Sequence, residues 1–293
     1  METIESVNKV YDFRFAENTT YRLGGVAKVA YFPENEAQMT LIYEHFSKSK
    51  ERFVILGKGS NVLASDEFFD GAVISTLKLK GITRIGNELH VMSGTTVAAL
   101  MNYCINQGVG GLEYLAGIPA SLGGLTHMNG GIPSRHIGDD ILFVKLFDGK
   151  VKKINAQKCQ FSNKHSIMRD INCVILKIVL RIYDNSREEI IKKILAVLKS
   201  RSGQPKLGNC GCVFKNPPGT SAGQLIDKAG LKGLKRGGAR ISEKHANFIL
   251  NDGASAKEVY SLISEVKARV YELFGIRLEE EVVYIGEFND SYS

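Results

Sequence analysis

The chain has 293 residues, 44% of them hydrophobic and 24% charged, with a formal net charge of +7. At about 150 residues per domain this length suggests roughly two compact domains, and 14 Phe and 11 Tyr among abundant Ile, Val and Leu exclude a disordered chain. No run approaches the ~20 apolar residues that a membrane span needs, so a transmembrane protein is excluded.

Taken in chain order, the first periodic stretch is Glu36 to Ser47, where Met39, Ile42, Tyr43 and Phe46 share one helical face. Phe53-Val-Ile-Leu56 reads as a short buried strand that runs into a glycine loop. Gly71 to Thr76, Ile82 to Ile85 and Leu89 to Met92 read as further strands. Thr96 to Gln107 is a helix stopped by Gly108. Phe143–Phe147, Val151–Ile154 and Cys173–Tyr183 are strands. Ser186 to Lys199 is an amphipathic helix, apolar at Ile190, Ile191, Ile194 and Leu198. Ala222 to Ala229 is a short helix, Phe248 to Leu250 a strand, and Ser255 to Phe274 a long helix in which Ser255 and Glu258 fit a capping box. Strands and helices mix without regular alternation, which predicts an α+β fold and not a doubly wound parallel sheet.

The N-terminus, Met1-Glu-Thr-Ile-Glu-Ser6, has neither a basic segment nor an apolar one, so secretion is not expected. The charge excess suits either nucleic acid or a pocket for a multiply anionic small ligand. The densest basic set, Lys228, Lys232, Lys235, Arg236 and Arg240, lacks an aromatic-interleaved, helix-turn-helix or zinc-finger context, so nucleic acid is not the expected partner. Five cysteines at irregular spacing argue against a disulfide framework and for a reducing compartment. Cys210-Gly-Cys212 has no second ligand pair downstream, so no metal site is expected.

Three loops carry the chemistry. In the first, Gly57, Lys58, Gly59, Ser60, Asn61, Val62 and Leu63 follow a strand, where glycine-freed N–H groups and two polar side chains can ring a phosphate. The pattern is neither a Walker A loop nor a dinucleotide GxGxxG, which disfavours a P-loop NTPase or a Rossmann dehydrogenase. The second comprises Gly117, Ile118, Pro119, Ala120, Ser121, Gly123 and Gly124, followed by Asn129 and Gly130. The third is Gly208-Asn-Cys-Gly-Cys-Val-Phe-Lys-Asn-Pro217. Strand alternation there would put Cys212, Phe214 and Asn216 on one face and Val213 and Lys215 on the other. Each loop by itself is compatible with ordinary packing.

In this order, and together with Asn18-Thr-Thr-Tyr-Arg-Leu-Gly-Gly25, Ala222 to Gly233, Lys244-His-Ala-Asn-Phe-Ile249 and Leu278-Glu-Glu-Glu-Val282, the loops resemble the UDP-N-acetylenolpyruvoylglucosamine reductase family. These are flavoenzymes of bacterial peptidoglycan synthesis. The resemblance runs from about Asn18 to Glu287, and the short connection near Asn185 is similar to the compact branch. It implies an FAD-binding region of the vanillyl-alcohol-oxidase type in two subdomains, 1–75 (joined by 282–293) and 76–200, with an α+β substrate domain over 201–281. It also implies NADPH as reductant, a UDP-sugar substrate, a monomer and a cytoplasmic location. Arg22 and the first two loops, through Gly130, are then expected to hold FAD, and Lys215, Asn216 and Gln224 to contact substrate.

Three positions depart from the family pattern. Cys212 stands where the family's proton-donating Ser is usual. A thiol of reference pKa near 8.5 is mostly protonated at pH 7 and serves as an acid, unless a lysine such as Lys215 or Lys164 turns it into a thiolate. In Phe161-Ser-Asn-Lys-His-Ser166, Asn163 replaces a Tyr, and Lys164 replaces the Arg expected to polarise the substrate carboxylate. Lysine keeps the charge without the planar fork. His165 or Arg169 is the alternative bearer of that role. Glu281 matches the family's terminal catalytic glutamate, whereas His127 and His245 are read as structural. The alternatives to the reductase are a flavin oxidase of the same fold and a catalytically silent flavin- or nucleotide-binding protein.

Overall fold

The computed structural model describes residues 3–206 and 208–288. The chain divides into two compact units, one of Met1–Val10, Ala30–Lys58 and Ala72–Ser202, the other of Tyr11–Val29, Gly59–Gly71 and Gly203–Ser293. Residues 289–293 of the expected C-terminal addition lie outside the described residues.

The first unit is built on a five-stranded antiparallel sheet, ordered Val151–Asn155, Ile141–Phe147, Val174–Arg181, Glu88–Met92, Ile82–Ile85. Its central strand, V-I-L-K-I-V-L-R, is buried at six of eight positions, which is why it reads as a nearly continuous apolar run. Helices Glu36–Ser49 and Leu122–His127 pack against it. Helix Val97–Gln107 starts where the Thr96 hydroxyl accepts from Ala99 N and stops at Gly108 in the left-handed region. Helix Arg187–Ser200 starts in the same way, Ser186 accepting from Glu189 N. Leu100, Cys104, Leu112, Leu180 and Ile190 share the buried cluster beneath these elements.

The expected helix 36–47 presents Met39, Ile42, Tyr43 and Phe46 to the core, as its periodicity requires. Two burial expectations fail. Phe53–Leu56 buries only Leu56, because it pairs with Phe69–Ser75 alone and forms a sheet edge. Leu198, expected on the buried face of its helix, is 43% exposed where the last turn runs out beside Gly117.

In the second unit, helix Ala256–Phe274 covers a three-stranded antiparallel sheet of Lys235–Arg236, Ala239–Ile241 and Ile249–Asn251. Its apolar stripe, Val259, Leu262, Ile263, Val266 and Val270, is buried with Val213, Phe214, Leu225 and Ile241. The capping box forms as the spacing predicted: the Ser255 hydroxyl accepts from Glu258 N, and the Glu258 carboxylate accepts from Ser255 N. Val62–Ala64 and Val283–Ile285 pair in parallel, so residues far apart in sequence close this unit. Among the described residues, no helix is long and apolar enough to cross a membrane.

Candidate functional site

The first loop turns out of strand Phe53–Leu56 with its donors unused. Among the described residues, the backbone N–H groups of Gly57, Lys58, Gly59, Ser60 and Asn61 make no hydrogen bond to protein. Open backbone amides, such as those of Gly57 and Lys58 at the end of the first unit's strand, are the kind of donor that binds a phosphate or diphosphate. At Gly59, φ is +65° and a Cβ would lie 2.7 Å from Asn18 O, so only glycine lets the chain pass there. Gly57 packs on the second loop, because a Cβ at this position would lie 2.3 Å from Ser121 Oγ.

The second loop spends most of its amides on the fold. Ile118 N donates to Leu115 O, Ala120 N to Ile118 O, Leu122 N to Thr95 O, Gly123 N to Ser93 O and Gly124 N to Ser121 Oγ. Its structural job is to set the first unit's glycine turns against each other. Two buried hydroxyls beside it, Ser93 Oγ and Thr126 Oγ1, have no hydrogen-bond partner among the described residues. Unpaired buried donors are costly unless a ligand or water meets them. Within the first unit, the open amides of Gly57 and Lys58 fit a polyoxygen group such as a flavin diphosphate, and the two unpaired hydroxyls are further polar atoms of the same unit. Asn129 lies deeper, at φ +44° and 4% exposed, its Nδ2 donating to Ser162 O and its Oδ1 accepting from Gly138 N. Gly130 N donates to Leu125 O.

Lys164 occupies a tight turn in the same unit. Ser162 N donates to His165 O and His165 N to Ser162 O, closing Asn163 and Lys164 into a two-residue loop with Lys164 at φ +55°. Arg169 Nη1 donates to Lys164 O at 2.7 Å, and Ser166 Oγ to His127 O at 2.7 Å. Burial lowers the His127 pKa, and the charge of Arg169 lowers it further. His165 is engaged elsewhere, its Nε2 3.1 Å from Asp170 Oδ2.

In the second unit, Gly59, Ser60, Asn61, Val62 and Leu63 complete the first loop and enter its parallel strand pair. Asn61 Nδ2 donates to Glu281 O, and Val283 N donates to Asn61 O. Thr20 holds the adjoining turn, its N donating to Gly59 O and its hydroxyl to Asn209 O. Arg22 follows at φ +58°, exposed, with its carbonyl accepting from Asn251 Nδ2.

Cys212 and Glu281 are brought together by backbone. Glu281 N donates to Val213 O at 2.7 Å, and Lys215 N donates to Glu279 O. The strand alternation expected for 212–216 is absent: Val213 and Phe214 are both buried, at 0% and 2% exposure. The reason is Asn247. Its carbonyl accepts from Val213 N, its Oδ1 accepts from Phe214 N, and its Nδ2 donates to Phe214 O, so one side chain stands in for a neighbouring strand. Cys212 is partly exposed, whereas Cys210 is buried, and burial, reinforced by the nearby Glu281 and Cys212, pushes its pKa well up. Lys215 pairs with Glu279 at 3.2 Å, Asn216 Oδ1 accepts from Ala222 N, and Gln224 lies exposed beside Asp227 and Lys228 in a shallow cavity.

Reading the sequence missed Asn247, Thr20, Ser93 and Thr126. Only Asn247 left a signal, as a polar residue inside the apolar run A-N-F-I. Among the described residues no group of three or more His, Cys, Asp or Glu side chains is placed to hold a metal.

Comparison with known proteins agrees with this geometry. Residues 204–285 match the family described as UDP-N-acetylenolpyruvoylglucosamine reductase, C-terminal domain, and residues 27–155 match an FAD binding domain. The chain is similar to the UDP-N-acetylenolpyruvoylglucosamine reductase of Carboxydothermus hydrogenoformans, 35% identical over 93% of this chain and 92% of that one. It is 36% identical to that of Caldicellulosiruptor saccharolyticus, over 92% of this chain and 89% of the relative. The crystal structure of the Thermus caldophilus reductase superposes with a TM-score of 0.79 at 33% identity, covering 96% of this chain and 99% of that one. The fold is thus α+β with an FAD-binding domain.

Proposed function

Because the chain belongs to the UDP-N-acetylenolpyruvoylglucosamine reductase family, we propose that it uses NADPH to convert UDP-N-acetylglucosamine enolpyruvate into UDP-N-acetylmuramate. The family makes it an oxidoreductase of peptidoglycan precursor synthesis. The observation that best supports the finer reading is the Glu281 N to Val213 O bond, which ties the backbone of Glu281 to the residue after Cys212.

Bound FAD would supply the hydride chemistry of the reaction, between NADPH and the enolpyruvyl methylene carbon. Gly57, Lys58, Gly117, Ile118, Pro119, Ala120, Ser121, Gly123, Gly124, Asn129 and Gly130 of the first unit are assigned to hold it. Arg22 and Gly59, Ser60, Asn61, Val62 and Leu63, which fall in the second unit, carry the same assignment. Lys164 neutralises the substrate carboxylate as negative charge builds on the adjacent carbon, the place where a fixed cation contributes most. Cys212 Sγ–H donates the proton to that carbon and is left as the thiolate, with Glu281 assisting its return to the thiol. Lys215, Asn216 and Gln224 contact the UDP-sugar. The reading keeps a three-part division of the chain at 75 and 200, and the pairing of Val283–Ile285 on Val62–Ala64 supports only the return of that C-terminal strand to the first part. NADPH and the UDP-sugar are intracellular, so the reading carries a cytoplasmic location, and it treats one chain as a complete enzyme. Sedimentation tests the monomer.

The test is a pair of half-reactions on FAD-loaded protein without oxygen. NADPH should bleach the flavin, and UDP-N-acetylglucosamine enolpyruvate should then restore its colour. Flavin that bleaches and stays bleached on adding that substrate would contradict the proposal.

A further inference from the structure

The Lys164 turn carries more apparatus than a surface turn needs. A lysine at φ +55° sits in a region that L side chains avoid, and such strain persists only where the surroundings enforce it. Here several contacts do so. The reciprocal Ser162–His165 bonds close the turn, Asn129 Nδ2 holds Ser162 O, and Ser166 Oγ ties the exit of the turn to His127 O. Phe161 anchors the entry, packed so closely on Gly138 that a Cβ there would lie 2.6 Å from its ring.

Arg169 supplies the remaining contact and is the odd one chemically. Its guanidinium is half-buried, and among the described residues no carboxylate lies within ion-pairing distance of it. The adjacent Asp170 pairs with His165 instead. Among the described residues, the one hydrogen bond of the guanidinium is Nη1 to Lys164 O, at 2.7 Å. Arginine is rarely buried without an acidic partner, so an unpaired guanidinium facing the backbone of a strained lysine calls for a reason.

We propose that Arg169 is a positioning residue for Lys164: its bond to the Lys164 carbonyl holds the turn in the left-handed conformation that presents the lysine ammonium to the substrate carboxylate. The proposal rests on the reading of Lys164 given above. It explains how a lysine, with a flexible stem and no planar fork, serves at a carboxylate site: the backbone is fixed from behind, and less of the stem's freedom remains to be lost on binding. The unpaired guanidinium also keeps this corner of the unit positive, which favours an anion there.

The test compares Arg169→Met, Arg169→Lys, Lys164→Met and the Arg169→Met/Lys164→Met double variant in the two half-reactions, with trypsin cleavage after Lys164 as a readout independent of turnover. We expect Arg169→Met to slow flavin reoxidation by the enolpyruvyl sugar about tenfold or more, the usual worth of a charge-assisted hydrogen bond. Flavin reduction by NADPH should be unchanged, cleavage after Lys164 faster, and Arg169→Lys should recover most of the rate. In the Lys164→Met background, removing Arg169 should cost nothing further, since a residue acting through Lys164 has nothing left to position. Three results would overturn the proposal: independent, multiplicative losses in the double variant, equal slowing of both half-reactions, or no effect of Arg169→Met. A Lys164→Met enzyme that reoxidises at the normal rate would instead strike the underlying reading of Lys164, whatever Arg169 does.

Discussion

Cys212, the proposed proton donor, differs in its setting from the chain's most deeply buried thiols. Burial pushes Cys104 up to about 12 and Cys159 and Cys173 up to about 11, and Cys210 is buried too. Groups held so firmly as thiols resist alkylation, Cys173 included although it is partly exposed as Cys212 is. Iodoacetamide on the native protein should therefore modify Cys212 first, and mass mapping that found Cys104 or Cys210 modified ahead of it would contradict this ranking. Cys212→Ser should keep appreciable turnover, since a hydroxyl also donates a proton. Cys212→Ala should lose roughly 10²–10⁴-fold, the usual contribution of a positioned general acid. Near-normal turnover of the Ala variant would remove Cys212 from the mechanism. Lys164→Arg should be tolerated and Lys164→Met crippled in turnover more than in flavin content. The residues proposed for chemistry were nameable from sequence because they sit at motif positions. Asn247 was not, because its one trace, a polar residue inside an apolar run, does not reveal that its amide imitates a strand.

At the scale of elements, the capped helices were the legible part. Thr96, Ser186 and Ser255 each stand where the first helical amides need an acceptor, and each accepts one. Ser255→Ala should cost about 1 kcal/mol of stability in urea unfolding. A loss too small to measure would show that the bond from Glu258 to Ser255 N holds the helix start without it. Strands Lys9–Arg14 and Val26–Tyr31 escaped the sequence reading for a physical reason. K-V-Y-D-F-R buries only Phe13, and Asp12 takes φ +54°, so the two-residue alternation never develops. Phe53–Leu56 looked buried because all four of its residues are apolar, yet a sheet edge leaves Ile55 exposed. Glycine positions tell more than composition does. At Gly94 a Cβ would lie 1.8 Å from the Thr76 carbonyl, a contact that requires the backbone to shift. Gly94→Ala should thus destabilise by at least the ~1–3 kcal/mol typical of overpacking, and a melting temperature equal to that of the parent protein would refute the packing described there.

For the whole molecule, imidazoles held neutral contribute to the acid limb of stability. Burial comes first for both His127 and His245, with Arg169 adding to the former and Lys232 to the latter, and both pKa values are lowered. Once unfolded, each imidazole takes up a proton near pH 6.5, so below that pH the unfolded chain binds more protons and stability falls as pH falls. His127→Gln should flatten that limb, and an unchanged slope would show that His127 is not one of its sources. Neither histidine lies at a proposed chemical position, in keeping with their reading as structural groups. The family, the fold class and the loops were legible because each motif carries its own backbone requirement. How Lys164 is held was not, because the Arg169 contact runs to a carbonyl, which every residue has.

The central claim is that this chain couples NADPH oxidation to reduction of an enolpyruvyl sugar. The most direct measurement is anaerobic NADPH consumption by the FAD-loaded protein, with and without UDP-N-acetylglucosamine enolpyruvate. Consumption that requires the sugar and matches it mole for mole, with UDP-N-acetylmuramate as product, is the predicted result. Flavin reduced once by NADPH, with no further consumption when the sugar is added, would contradict it.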